Sequence, residues 1–438
     1  MAPRATQPGR PPHVVVIGAG FGGLATVRGL CNTAVRVTWI DRKNYHLFQP
    51  LLYQVATAAL SPADIAAPAR GIARTWRNVE TVLAEVTGID AEARVVKTTR
   101  QTYSYEYLVM ATGAETSYFG NEKWARFAAG LKTLEEAVAI RRKVLLSLEL
   151  AETAQSEEER RRLLTFVLIG AGPTGVEMAG AIADLAKHML ARDFRHIESG
   201  TICVILLEAM DQVLPGYPRD LATFAEKKLK EMGVDVRTGT KVEDIDEEGV
   251  VAGGTRIASR TIIWGAGVKA TPVADWLGTE ADKKGLVKVR PDLSLAGRPE
   301  VFVIGDAALA LDEDGHPLPG LAAVAKQQGA YVARRLLDRI EGREPSSPFC
   351  YHDWGTLATM GKASAVANFG RLRLRGFVAW VVWVLVHIWY LIGFRNRVRV
   401  LFSWVWLYAT FSPGARLITG DFKWSELGVG ESSEAKAR

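Results

Sequence analysis

At several points the apolar residues of this chain fall in short unbroken runs rather than in alternation, and two of these runs lead straight into glycine clusters. His13 to Ile17 reads as a strand buried on both faces, the pattern of a central parallel strand. It enters Gly18-Ala19-Gly20-Phe21-Gly22-Gly23, and an apolar helix to about Leu30 follows. A second strand, Val35 to Ile40, ends at Asp41. The order then recurs: Thr165 to Ile169 is apolar, runs into Gly170-Ala171-Gly172-Pro173-Thr174-Gly175, and opens a helix from about Val176. Thr201 to Leu207 follows as a strand and ends at Glu208, with the charged stretch Lys187 to Ser199 extending the helix and its loop.

Each module also closes alike. Tyr107 to Met110 ends in Ala111-Thr112-Gly113, and Thr261 to Trp264 ends in Gly265-Ala266-Gly267, so the chain contains an internal duplication. A third apolar return, Val301 to Ile304, precedes Gly305-Asp306 and places the second module inside the first. The expected fold class is α/β, with two Rossmann-like dinucleotide-binding domains, the second inserted in the first. The discontinuous first domain is expected over 11–118 and 296–370 and the second over 119–295, with 371–420 as a separate helical segment and 1–10 and 421–438 as tails. Leu134 to Leu150 and Leu321 to Leu337 have helical periodicity, and the charge run Glu157 to Arg162 reads as solvated helix ends.

Composition is globular, with 48% apolar and 23% charged residues in 438. Residues 371 to 416 hold seven arginines and no acidic side chain, against +6 for the whole chain. That concentration points to anionic lipid and away from nucleic acid, whose binders spread Lys and Arg over a folded face. Cys31, Cys203 and Cys350 are far apart and lack metal-ligand spacing, so no metal is expected. The start, MAPRATQPGRPPH, has no apolar core of a signal peptide, and the protein is expected to face the cytoplasm.

A pyrophosphate needs backbone N–H groups and a helix N-terminus at contact distance, which side chains at the glycine positions would obstruct. Two such loops, each after a buried strand and each followed by an acid, mean two nucleotides. An acid at the end of the second strand takes a ribose diol and repels a 2′-phosphate, so Glu208 favours NADH over NADPH. Asp306 is placed to reach the ribityl chain of a flavin nucleotide; a strand-end cap is the alternative. The helix from Leu321, if its first turn faces the flavin pyrimidine ring, would stabilise negative charge on the reduced ring.

Residues 44 to 56, NYHLFQPLLYQVA, with both glycine loops and the Gly305-Asp306 pair, resemble the type II NADH dehydrogenases, single-chain NADH:quinone oxidoreductases, over about His13 to Ile418. The resemblance implies a glutathione-reductase-like flavoprotein fold with FAD on the first loop and NADH on the second. By position, Gly18, Ala19, Gly20, Phe21, Gly22, Gly23, Asp41, Arg42, Val86, Thr112, Gly113, Asp306 and Ala325 would meet FAD. Gly170, Gly172, Pro173, Thr174, Gly175, Glu208 and Gly267 would meet NADH. The family's catalytic glutamate matches Glu177; by sequence alone, a glutamate stabilised by the helix dipole accounts for that residue equally. At the quinone site many members carry AQxAxQ. Here the stretch is Ala322-Ala323-Val324-Ala325-Lys326-Gln327, so Gln327 is kept, Ala323 replaces the first glutamine, and Lys326 is polar where an apolar residue is common.

Phe377 to Phe394 is uncharged apart from His387, and 18 residues of helix at ~1.5 Å each nearly cross a ~30 Å hydrocarbon core. Arginines lie on both sides of it, so the positive-inside rule gives no orientation. Two segments in the interface, Phe377 to Phe394 and Leu401 to Phe411, fit better, with Trp380, Trp383, Trp389, Trp404 and Trp406 and snorkelling arginines. A buried hairpin is the alternative. The expected activity is hydride transfer from NADH to FAD and electron transfer to a membrane quinone without proton pumping. The partners are that quinone and the bilayer surface at the cytoplasmic face of the cell membrane, and a homodimer is allowed. Rival readings are a sulfide:quinone oxidoreductase, which would use separated cysteines, and a flavin- and NADH-binding signalling protein resembling apoptosis-inducing factor. A flavin disulfide reductase would need a close cysteine pair that this chain lacks.

Overall fold

The computed structural model describes residues 10–198, 200–343, 347–410 and 415–419. The expected tails fall almost wholly outside these residues, as do Ser199 and Phe411.

Two parallel sheets organise the chain. The first has six strands in the order Ser294–Leu295, Arg298–Val303, Tyr107–Met110, His13–Ile17, Arg36–Asp41 and Val79–Leu83, and only the short edge strand Ser294–Leu295 runs antiparallel to its neighbour. His13–Ile17 is buried at every position, as its unbroken apolar run requires of a strand covered on both faces. One face is covered by the helices Phe21–Leu30 and Ala322–Ile340, which touch at glycines: a Cβ on Gly29 would lie 2.5 Å from the Ala333 methyl, and one on Gly329 would lie 2.2 Å from the Gly22 carbonyl oxygen. The other face packs on an antiparallel meander, Val86–Asp90, Val95–Thr98 and Thr102–Ser104.

The second sheet repeats the plan with five parallel strands, Ala128–Gly130, Thr261–Trp264, Thr165–Ile169, Cys203–Leu207 and Val234–Arg237, and a meander of Val242–Ile245, Gly249–Ala252 and Thr255–Ala258. Its strands lie in the chain between Tyr107–Met110 and the return strand Arg298–Val303. The two halves are tied by Ala114–Thr116 pairing antiparallel with Val268–Ala270. Leu134–Thr153 starts from a capping box at Thr133 and Glu136, and the charge run forms a separate helix, Glu157–Leu163.

Beyond the first sheet come an antiparallel trio, Thr356–Thr359, Ala365–Phe369 and Leu372–Gly376, and two helices, Phe377–Tyr390 and Phe394–Thr410. The uncharged run is therefore not one helix: it breaks at Leu391–Gly393, where Gly393 takes φ +83. Among the described residues no helix is long and apolar enough to cross a membrane. The expectation of five tryptophans at a lipid interface needs correction. Trp383 and Trp404 are 0% and 2% exposed, since Ala379, Trp383 and His387 form one i, i+4, i+8 stripe and Val400 and Trp404 another, both turned to the core. Trp389 and Trp406 face out, at 72% and 56%. The arginines divide too. Arg397 donates to the carbonyls of Leu391 and Trp389, and Arg373 pairs with Asp220, whereas Arg371, Arg395 and Arg399 are exposed.

Candidate functional site

The two glycine loops are built from the same bonds. Gly18 N–H donates to the Ile40 carbonyl at 2.8 Å and Gly170 N–H to Leu207 at 2.8 Å; Ala111 N–H donates to Ile17 at 2.8 Å and Gly265 N–H to Ile169 at 2.7 Å. Asp41 accepts from the Ala19 amide, and Glu208 accepts from the Ala171 amide at 2.6 Å and the Met210 amide at 2.9 Å. Each carboxylate thus locks a loop to the end of the second strand. Four lone-pair sites per carboxylate leave capacity for a diol. Burial pushes the Asp41 carboxyl up, against the pull of the Lys43 and Ala19 amides.

The glycines differ in what requires them. Gly18 and Gly170 have φ +106 and +95, and a Cβ on Gly23 or Gly175 would sit within 2 Å of the carbonyl oxygen of Gly18 or Gly170. Gly23, rather than Gly22, is therefore the counterpart of Gly175. Gly20 and Gly172 meet no protein atom within 4 Å of a built Cβ. Each is the open floor of a cradle at the start of a helix, Phe21–Leu30 or Pro173–Asp193. Backbone N–H groups at such a position suit a phosphate-sized anion.

Around the first loop, Gly22 packs on Ile304 and on the Ala325 carbonyl. Asp306 lies 3.7 Å from the Lys132 ammonium, and the Gly305 N–H donates at 2.6 Å to Gln328, a fully buried side chain that the sequence reading did not select. Thr112 and Thr271 hydroxyls bond at 2.6 Å, joining the ends of the two modules near Gly113. Val86 is buried with Ile17 and Ile40, and Arg42 is exposed. In the second module Gly267 leaves room for Phe119, whose ring a Cβ would strike at 2.4 Å, while Pro173 and Thr174 open the helix.

His46 was also missed. Its Nδ1 lies 2.8 Å from the Ala19 carbonyl oxygen, an atom that only accepts, so the imidazole donates. Burial and nearby Arg28 lower its pKa to about 4, leaving it a neutral strut under the loop. The signal was present, a histidine inside the NYHLFQPLLYQVA stretch. The same stretch supplies Gln54, whose Oε1 accepts from the Trp404 indole at 2.7 Å and whose Nε2 donates to the Tyr53 hydroxyl at 3.0 Å.

Glu177, on the first turns of Pro173–Asp193, is 8% exposed and accepts from the Thr359 amide at 3.4 Å. Burial raises its pKa to about 8, opposed by that amide and by the nearby Trp383 indole, whose N–H makes no hydrogen bond of ordinary geometry. Glu177 is thus a carboxyl that keeps its proton at neutral pH. Desolvation outweighs these two donors.

Of the three residues expected at the quinone, Gln327 uses both ends of its amide on the His352 backbone, at 2.9 and 3.0 Å. Lys326 places its ammonium 4.3 Å from the centre of the Tyr390 ring, and Ala323 lies one turn earlier on the same helix. All three cysteines are free; Cys203 lies in the second sheet and Cys350 is exposed.

The chain matches the family of pyridine nucleotide-disulphide oxidoreductases over residues 12–329. It is 42% identical over 428 residues to the type II NADH:quinone oxidoreductase Ndh of Mycobacterium tuberculosis, covering 94% of this chain and 91% of that protein. Its fold resembles NDH2 of Plasmodium falciparum in complex with NADH, with a TM-score of 0.84 at 20% identity, covering 94% of this chain and all of the other. It also resembles the sulfide:quinone oxidoreductase of Aquifex aeolicus, with a TM-score of 0.70 at 19% identity over 88% and 92% of the two chains. With the family model spanning most of the chain and the mycobacterial relative nearly all of it, the protein belongs to the type II NADH:quinone oxidoreductases, within the pyridine nucleotide-disulphide oxidoreductase family.

Proposed function

We propose that the protein oxidises NADH and reduces a membrane quinone by way of FAD, according to NADH + H⁺ + quinone → NAD⁺ + quinol, with no proton pumping. The observation that carries this reading is the pair of equivalent glycine cradles, each with an open floor at Gly20 or Gly172 and a carboxylate at Asp41 or Glu208. Bound FAD supplies the two-electron relay between pyridine nucleotide and quinone.

Gly18, Ala19, Gly20, Phe21, Gly22 and Gly23 hold the FAD pyrophosphate, Asp41 its adenosine ribose and Asp306 its ribityl chain; Thr112, Gly113, Val86 and Ala325 line the same side. Gly170, Gly172, Pro173, Thr174, Gly175 and Glu208 hold NADH, with Gly267 beside them. Glu177 holds a proton in a dry position between the second loop and Thr359 and can release it as the pH nears 8. The exposed apolar residues of the last two helices, among them Phe377, Leu385, Trp389, Phe402 and Trp406, seat the protein on a bilayer surface at the cytoplasmic face, where NADH is available.

The test is an anaerobic titration in visible light. NADH bleaches the flavin band in a near-stoichiometric reaction, and a short-chain quinone restores it. Bleaching without restoration by any quinone would remove the quinone from this assignment and leave a flavin- and NADH-binding protein.

A further inference from the structure

The helix Ala322–Ile340 begins where the first glycine loop ends: the Ala325 carbonyl oxygen lies 3.3 Å from a Cβ built on Gly22, and the Ala325 methyl lies 3.3 Å from one built on Gly305. The next residue, Lys326, points elsewhere, to the ring of Tyr390 at 4.3 Å. Tyr390 ends the apolar helix Phe377–Tyr390, stacks on the half-exposed Trp354, and follows Trp389, which is 72% exposed. Lys326 therefore stands between the first loop and the surface that the proposed function seats on lipid.

Its chemistry there is unusual. Lys326 is partly buried and, among the described residues, forms no ion pair; an aromatic face is its partner. Burial and the like charge of Arg28 hold its ammonium below the usual lysine value. The neighbouring Gln327 amide is taken at both ends by the His352 backbone. At position 323, three residues earlier and on the same helical face, alanine offers no polar group. Among the described residues Lys326 gives no hydrogen bond to a protein oxygen, whereas Gln327 gives its amide to His352.

We propose that Lys326 receives the carbonyl oxygen of the quinone, replacing an amide at position 323, and makes the site prefer quinones that bear negative charge beside that carbonyl. This rests on the quinone reading of the preceding section. An ammonium attracts a ring oxyanion as well as donating to a carbonyl, whereas a glutamine amide at position 323 would only hydrogen-bond. Ring-hydroxylated naphthoquinones, ionised at neutral pH, are the chemical class favoured.

The experiment compares the flavin-loaded wild type with Lys326→Met, Lys326→Arg, and Ala323→Gln combined with Lys326→Met. The probes are 2-hydroxy-1,4-naphthoquinone, an anion at pH 7, and neutral 2-methyl-1,4-naphthoquinone, with affinity read by calorimetry and turnover by NADH loss. Lys326→Met is expected to weaken the anion about tenfold or more, the scale of one charged hydrogen bond, and the neutral quinone less. Single-turnover flavin reduction by NADH, followed in each variant, separates the NADH half-reaction from the quinone half-reaction. Lys326→Arg keeps the preference for the anion; the double variant regains neutral-quinone turnover without that preference. Equal affinity of wild type and Lys326→Met for the anion, with flavin content and melting temperature intact, overturns the proposal. Should Lys326→Met fail to hold flavin, loss of the anion preference in Lys326→Gln supports the proposal and its retention overturns it. Lys326-dependent binding of the anion without quinone turnover would instead sink the quinone reading and leave the anion site standing.

Discussion

Replacing Glu177 by glutamine keeps the shape of the side chain and removes its titration. In the native protein this carboxyl has a pKa of about 8 against an ordinary 4.5, because burial penalises its charged form. The native state therefore holds a proton that the unfolded chain has released throughout the window from 4.5 to 8, and stability falls as pH rises through it. The contribution is fully present below 4.5 and levels off above 8. Between pH 6 and 8 these two values integrate to about 2 kcal/mol. His13, His46 and His387, each lowered to about 4, titrate with the opposite sign below the unfolded histidine value of 6.5, as acid charges the unfolded chain first. They are common to both proteins and cancel in the difference. Denaturant midpoints followed by tryptophan fluorescence at pH 6, 7 and 8 should show the wild type losing stability relative to Glu177→Gln by that amount. Parallel pH profiles would refute the reasoning, since they would mean that Glu177 is already ionised at pH 6.

The glycines of the first loop separate folding from cofactor retention. Gly20→Ala meets open space and should leave a folded protein that loses flavin on dialysis, whereas Gly23→Ala drives a methyl into the Gly18 carbonyl and should lower the folded yield itself; circular dichroism and flavin absorbance together distinguish them. On the outer face, Phe402→Glu with Trp406→Glu adds charge where both residues are more than half exposed. Sedimentation with anionic vesicles should fall sharply while NADH still bleaches the flavin; unchanged sedimentation would move the lipid contact elsewhere.

Much of the two-loop core was legible because each element is a local signal. The buried runs His13–Ile17 and Thr165–Ile169, the glycines after them, and Asp41 and Glu208 all lie within one strand–turn–helix–strand unit whose physics is short-range. What the pattern hid was set by contacts across the chain. Trp383 and Trp404 look like lipid-facing residues in an apolar run, yet Trp404 reaches Gln54, 350 positions away, and the pair closes the core. Glu177 is neutralised because it is buried, against the pull of the Thr359 amide and the Trp383 indole, and its own turn announces neither the burial nor these distant partners. Gln327 was chosen by position, but it is spoken for by His352, while Gln328 next to it holds Gly305.

The central claim, electron transfer from NADH to a quinone, is tested most directly by following NADH absorbance at 340 nm with vesicle-bound, flavin-loaded protein, with and without quinone, and with NADPH or sulfide in place of NADH. Fast NADH loss that requires quinone, with NADPH and sulfide far poorer donors, is the predicted result. Quinone reduction driven by sulfide, or flavin reduction by NADH that no quinone accelerates, would contradict it.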